Sequence, residues 1–195
     1  GMPLLIADMT LLTALRTACT SALAASYLAK PHARTLGLIG CGAQSEFQAL
    51  AMHVINQIDT IHYFDTDQAA MQKFADHLSP YPITLVPCDS VHMACQQADI
   101  ITTATANKTR ANLLSRSDVP AGAFVNAIGG DCPGKTELCA DLLAQAHIVV
   151  ESLPQAQIEG EIQHSQAPLA PIELHHIMKN DLPVRRTDDD IIVFD

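Results

Sequence analysis

The chain has 195 residues, a length that suits one domain able to bury its own core. Of these, 48% are hydrophobic, 16% charged and 4% aromatic, with no Trp, and 11 Lys+Arg against 21 Asp+Glu leave a net charge of −10. That balance argues against nucleic acid and anionic membranes as partners, because both repel such a chain at long range. Every apolar stretch falls short of the ~18 residues a membrane span needs. Six cysteines, none in a C-x-x-C pair, and no secretory signal point to reduced thiols in a cytoplasmic protein rather than a zinc ribbon or disulfide scaffold. Gly1-Met2 reads as a protease scar ahead of a start codon.

Leu11, Leu12, Leu15, Cys19, Ala22, Leu23 and Leu28 recur at helical spacing and predict a helix over 10–29, capped by Thr10 and stopped by Lys30-Pro31. A strand follows at 35–39, a helix at 43–58, a strand at 60–64, a helix at 68–78, a strand at 83–86 and a helix at 90–97. Further strands are expected at 99–103 and 124–128, then a helix at 137–146 and a strand at 147–150. This alternation predicts an α/β fold: a doubly wound, mostly parallel sheet with helices on both faces. Past Glu151 the pattern loosens into a short helix at 155–162, a Pro-bounded linker at 168–171, a helix at 172–179 and a terminal strand at 191–194. That last strand has no evident partner in the sequence, which suggests that something is missing beyond Asp195.

The segment Leu38-Ile-Gly-Cys-Gly-Ala-Gln-Ser45 lies between a predicted strand and helix and fits G-x-G-x-x-G, with Ser45 at the third glycine position. Gly40 would make the tight turn and Gly42 would let the backbone approach a pyrophosphate at the helix N-terminus. Asp65 follows the next strand, 25 residues after Gly40, where a carboxylate accepts from ribose hydroxyls. With Asp67 nearby and no Arg, a 2′-phosphate is unwelcome, so a Rossmann-type fold binding NAD rather than NADP is expected. An ordinary βα turn followed by a helix-flanking Asp is the bland alternative.

A second string, Gly129-Gly-Asp-Cys-Pro-Gly-Lys-Thr136, matches G-x-x-x-x-G-K-[ST] letter for letter. Asp131 would put a carboxylate into a polyphosphate cradle and Pro133 removes a backbone donor, so a phosphate-binding loop is disfavoured. Asp131 at the C-terminal end of a strand could instead relay protons or hold a substrate ammonium, with Lys135 balancing it or touching the cofactor. A structural Asp in a Gly-rich turn remains the alternative on these residues alone. His175-His176 are adjacent and so should not share a helix face, and Asp188-Asp-Asp190 lacks the spacing of a calcium loop; no metal is expected.

Leu15-Arg-Thr-Ala18, Ile39-Gly-Cys-Gly-Ala-Gln-Ser-Glu-Phe-Gln-Ala49, Asn126-Ala-Ile-Gly-Gly-Asp-Cys-Pro-Gly-Lys-Thr-Glu-Leu138, Val149-Val-Glu-Ser-Leu-Pro-Gln155 and Glu159-Gly-Glu-Ile-Gln163 together resemble the ornithine cyclodeaminase/mu-crystallin family. The resemblance implies NAD-dependent conversion of L-ornithine to L-proline with loss of ammonia. By position, it implies that Arg16 binds the substrate carboxylate and touches the cofactor, and that Asp131 is the acid/base near the amines. It implies that Ala43, Gln44 and Asp65 hold the adenosine and pyrophosphate half, and that Thr105, Val125, Asn126, Ala127, Ile128 and Lys135 line the nicotinamide half. The whole of 2–195 then reads as one NAD-binding domain: a lead-in helix at 10–30, a core at 35–151, and C-terminal helices with the terminal strand at 152–195. The family's N-terminal substrate and dimerisation region is not in this chain, nor is its segment past Asp195. A ketimine reductase or amino-acid dehydrogenase of the same family, or a non-catalytic dinucleotide-binding remnant, are the alternatives. The expected partners are a small amino acid or cyclic imine and, through an uncovered apolar face on the 10–29 helix, a homo-oligomer.

Overall fold

A computed structural model of the protein describes residues 1–106, 110–163, 165, 168–180 and 182–195. Runs of aliphatic and β-branched residues become short strands, and the amphipathic stretches between them become helices. In order these are α1 (Thr10–Leu28), β1 (Thr35–Ile39), α2 (Ser45–Asn56), β2 (Thr60–Phe64), α3 (Gln68–Leu78), β3 (Thr84–Pro87), α4 (Val91–Cys95) and β4 (Ile100–Thr103). Then come β5 (Arg110–Leu114), β6 (Phe124–Ala127), β7 (Thr136–Leu138), α5 (Ala140–Leu143), β8 (His147–Val150), α6 (Leu153–Glu159), β9 (Ile172–Glu173), α7 (Leu174–Asn180) and β10 (Ile192–Phe194).

Eight strands form one parallel sheet in the order β3-β2-β1-β4-β6-β10-β8-β9, and β5 pairs with β7 apart from it. The winding direction reverses between β1 and β4, which places a crevice at the C-terminal ends of those strands. Both faces are covered, so β4, β6 and β10 are buried at every position. Alternate residues feed two cores: Phe124 and Ile192 pack with α1, α2 and α3, while Val125 and Val193 pack with Leu142 on the other face.

Four expectations are corrected. The terminal strand is not partnerless, because β10 lies between β6 and β8, pairing Val193 with Val125 and with Ile148. The helix expected at 137–146 is a strand followed by four helical residues, because residues 136–138 pair with β5 while the Glu161 carboxylate accepts the Glu137 and Leu138 N–H groups. The helix expected at 172–179 opens as strand β9, because Ile172 and Glu173 pair with Val149 and Val150 of β8. Thr10 does not cap α1; its own N–H donates to the Asp8 carboxylate at 2.8 Å.

Helix α1 turns Ala14, Ala18, Ala22 and Ala25 inward, and leaves Leu11, Leu12 and Leu15 on the surface at 60%, 52% and 45% exposure. Among the described residues no helix is long and apolar enough to cross a membrane.

Placing the chain's last strand in the middle of the sheet makes a measurable difference. Ile192 is fully buried, so Ile192→Ala should cost about 2–5 kcal/mol in chemical unfolding, whereas Leu11→Ala on the exposed face of α1 should cost under about 0.5 kcal/mol. Equal small losses for both would show β10 to be a loose appendage.

Candidate functional site

The C-terminal ends of β6 and β10 open into a cleft of about 390 Å³ walled on one side by α1 and on the other by α6. The cleft brings together five residues that the sequence singled out: Arg16, Gln44, Ala127, Ile128 and Asp131. Arg16 projects from α1 with no side-chain partner among the described residues. Facing it are Asp131, Glu151 and Glu159, so the cleft carries one cation against several carboxylates.

The first glycine loop has the geometry its residues require. Gly40 has φ +98°, and a Cβ there would lie 2.6 Å from the Ala104 carbonyl oxygen, so a side chain is excluded by both strain and space. Its N–H donates to the Phe64 carbonyl at 2.9 Å, tying the loop to β2. Gly42 has nothing within 4 Å of where a Cβ would stand, and Ala43 beside it is exposed, so this backbone is open to a ligand. Buried Ser45 donates its hydroxyl to the Gly42 carbonyl at 2.7 Å, which explains how serine serves at the third glycine position. Asp65 sits against the same loop: its Oδ2 accepts from the Cys41 N–H at 2.7 Å and its Oδ1 from the Asp67 N–H at 2.9 Å. Gln44 Oε1 is buried, lacks a partner, and belongs to a residue that lines the cleft. An open glycine backbone at the start of a twelve-residue helix, a nearby carboxylate and an unpaired amide oxygen together fit a dinucleotide.

Behind the second glycine string the arrangement differs from a phosphate cradle. A strand, β7, follows it rather than a helix, and Lys135 turns inward. The Lys135 ammonium donates to Asp131 Oδ1 at 3.1 Å and to the Thr105 carbonyl at 2.9 Å, with the Lys side chain 5% exposed and that of Asp131 69% exposed. The Thr105 N–H donates to Glu137 Oε1 at 3.0 Å, and its hydroxyl donates to the same oxygen. Thr105 and Lys135 therefore stand behind the loop instead of on the cleft wall. Val125 and Asn126 are fully buried: Val125 packs in the core, and the Asn126 amide donates to Gln48 Oε1 at 3.3 Å and Thr102 Oγ1 at 3.2 Å. Only Ala127 and Ile128 of that segment reach the cleft, because alternate side chains of a strand covered on both faces are consumed by packing.

Three carboxylates were missed. Glu137 and Glu161 are 1% and 2% exposed, and Asp195 lines the cleft beside them. Glu137 and Glu161 lie inside the strings that carry the resemblance, yet nothing in their spacing says that a carboxylate is buried. The His175 and His176 rings, expected to diverge, stand 4.0 Å apart at the first turn of α7, and both approach Glu173 Oε2, at 3.9 and 3.8 Å. The two His are exposed and none of the three residues lines the cleft.

Burial pushes the Glu161 and Asp195 carboxyls up to about 7, from ordinary values of 4.5 and 3.8; for Glu161 the neighbouring Asp195 and Glu137 add repulsion. The folded protein thus holds protons that the unfolded chain releases between about pH 4 and 7. These two groups contribute most to stability below about pH 4, and that contribution is lost as pH rises through 7. Glu161→Gln, which cannot ionise, should therefore gain in melting temperature relative to the parent protein between pH 5 and pH 8. A difference between the two proteins that is independent of pH would contradict the assignment.

The family model for the ornithine cyclodeaminase/mu-crystallin family matches residues 1–195. The chain is 47% identical over 196 residues to an ornithine cyclodeaminase of Agrobacterium fabrum, covering all of this chain and 55% of that protein. Among solved structures, an archaeal alanine dehydrogenase dimer with bound NAD superimposes with a TM-score of 0.89 at 30% identity, covering 100% of this chain and 62% of that one. A lysine cyclodeaminase, solved for its recognition of L-lysine, L-ornithine and L-2,4-diaminobutyric acid, gives 0.87 at 35% identity, covering 96% and 55%. The chain spans about half the length of the curated relatives it matches. By sequence and by fold, it belongs to the ornithine cyclodeaminase/mu-crystallin family.

Proposed function

We propose that residues 2–195 are the dinucleotide-binding part of an NAD-dependent cyclodeaminase, a cytoplasmic homo-oligomeric lyase that converts L-ornithine to L-proline and ammonia. The observation that carries this reading is that one cleft beside the open glycine loop holds both Asp131 and Arg16, whose side chain has no partner among the described residues. Gly40, Gly42, Ala43 and Gln44 hold the pyrophosphate at the N-terminus of α2, and Asp65 accepts from the adenine ribose. NAD supplies the hydride acceptor and donor. Arg16 takes the substrate carboxylate, for which a guanidinium fork is the matching donor. Asp131 accepts and returns protons at the amines, its carboxylate exposed to the cleft and held by Lys135. Glu151 and Glu159 add negative charge to the cleft, which favours a diamino acid carrying a second ammonium over a neutral amino acid. Ala127 and Ile128 would offer the nicotinamide half an apolar contact, with Thr105 and Lys135 bracing that part of the cleft from behind. The exposed Leu11, Leu12 and Leu15 of α1 supply the apolar surface for self-association, and the six free thiols suit a reducing compartment.

Fluorescence titration should show NADH binding in preference to NADPH, and Asp65→Ala should weaken NADH by about tenfold or more, the range for losing hydrogen bonds to a charged group. With ornithine and NAD, Asp131→Asn should cut proline formation by roughly 10²–10⁴-fold with NADH binding retained. Turnover of cyclic imines but not of ornithine would instead assign a ketimine reductase.

A further inference from the structure

We infer that Glu137, Glu161 and Asp195 are positioning residues: a ladder of two buried carboxylates and one at the cleft wall that sets the place of the 129–135 loop and, through Thr105 and Lys135, of Asp131. This rests on the cleft being the dinucleotide and amino-acid site.

The rungs are continuous. The Glu161 N–H donates to Asp195 Oδ2 at 2.8 Å. The Glu161 carboxylate in turn accepts the Glu137 N–H at 2.9 Å and the Leu138 N–H at 2.8 Å. Glu137 Oε1 accepts the Thr105 N–H and hydroxyl, and the Thr105 carbonyl accepts from Lys135, which reaches Asp131. Gln163 braces the same loop, accepting the Gly134 N–H at 2.7 Å and donating to the Lys135 carbonyl at 2.9 Å. A connected path therefore runs from the residue after β10 to the carboxylate in the cleft.

The ladder also accounts for two of the three glycines of the second string. A Cβ at Gly129 would lie 1.8 Å from Glu137 Oε2, and one at Gly130 would lie 2.9 Å from Glu161 Oε1. Gly160 is held in the same way, with Asp195 Oδ2 2.3 Å from the Cβ position. Gly129, Gly130 and Gly160 thus make room for carboxylates, whereas Gly134, with φ +86° and open space around it, serves the turn before Lys135. Burying carboxylates is costly unless they are hydrogen-bonded, and Glu137 Oε2 has no partner among the described residues, so stability alone would favour apolar side chains here. The charged and titratable groups around the ladder are Lys135, Asp131 and Cys139, with Arg16, Glu151 and Glu159 across the cleft. Burial holds protons on Glu161 and Asp195 up to about pH 7, which limits the repulsion among three neighbouring carboxyls.

The test compares Glu161→Ala and Glu161→Gln by amide hydrogen exchange and by NADH titration at several pH values. In Glu161→Ala, exchange in 129–138 should rise by about tenfold or more while β1 and β2 keep their protection, and NADH affinity should fall; Gln should restore both, with a flatter pH profile. A folded Glu161→Ala with unchanged loop exchange overturns the ladder, as does unchanged NADH affinity beside a parent that binds. A parent that fails to bind NADH counts against the proposed function, while loop exchange still decides the ladder. Should Glu161→Ala not fold, Gly129→Ala supplies a second arm. It should lower the melting temperature, and Glu137→Ala should relieve most of that loss; strictly additive effects would overturn the packing.

Discussion

Three residues at the end of the chain hold the sheet together. Ile192, Val193 and Phe194 pair on one side with β6 and on the other with β8, so among the described residues β8 and β9 join the sheet through them. Each is buried, and Ile192 and Val193 contribute to opposite cores. The strand also ends where the cleft begins: Phe194 and Asp195 line it, the Asp195 carbonyl accepts the Glu151 N–H at 2.9 Å, and the Asp195 carboxylate accepts the Glu161 N–H. One strand thus closes the fold and builds a wall of the site.

The cleft follows from parallel pairing. With all eight strands running the same way, every strand delivers its C-terminal residue to one edge, and the reversal at β1 and β4 opens a gap there. The glycine loop from β1, the Ala127–Ile128 end of β6 and the Asp195 end of β10 arrive at that edge from distant parts of the sequence. Helix α1 crosses the open side and brings Arg16 to meet them. Small side chains at Ala14, Ala18, Ala22 and Ala25 let that helix approach closely enough to do so.

Local pattern was a sound guide where an element depends on its own residues. Strands 35–39 and 60–64 and helix 68–78 match the structure residue for residue, because turn residues bound them and their apolar faces are unambiguous. It failed where a distant group decides the outcome. Residues 137–146 carry helical spacing, yet distant groups hold 136–138 extended: the segment pairs with β5, and Glu161, 24 positions from Glu137, accepts the Glu137 and Leu138 N–H groups. The partner of β10 was equally illegible, since parallel neighbours are remote in sequence. In the site, Gly40, Gly42, Asp65 and Asp131 were picked out because their residue types and spacing carry the chemistry, and Arg16 only through the family resemblance. The side chains of Val125 and Asn126 are taken up by packing, which the spacing did not reveal, and Glu137 and Glu161 were passed over because a carboxylate is ordinarily a surface residue.

The central claim is that a dinucleotide lies across the edge where β1, β4 and β6 end. Amide hydrogen exchange measured with and without saturating NADH tests it most directly, since it reports position as well as binding. The account predicts slower exchange in residues 40–45, at 65–67 and over 127–131, with little change in β3 and α7. Protection confined to other segments, or none at any NADH concentration, would contradict it.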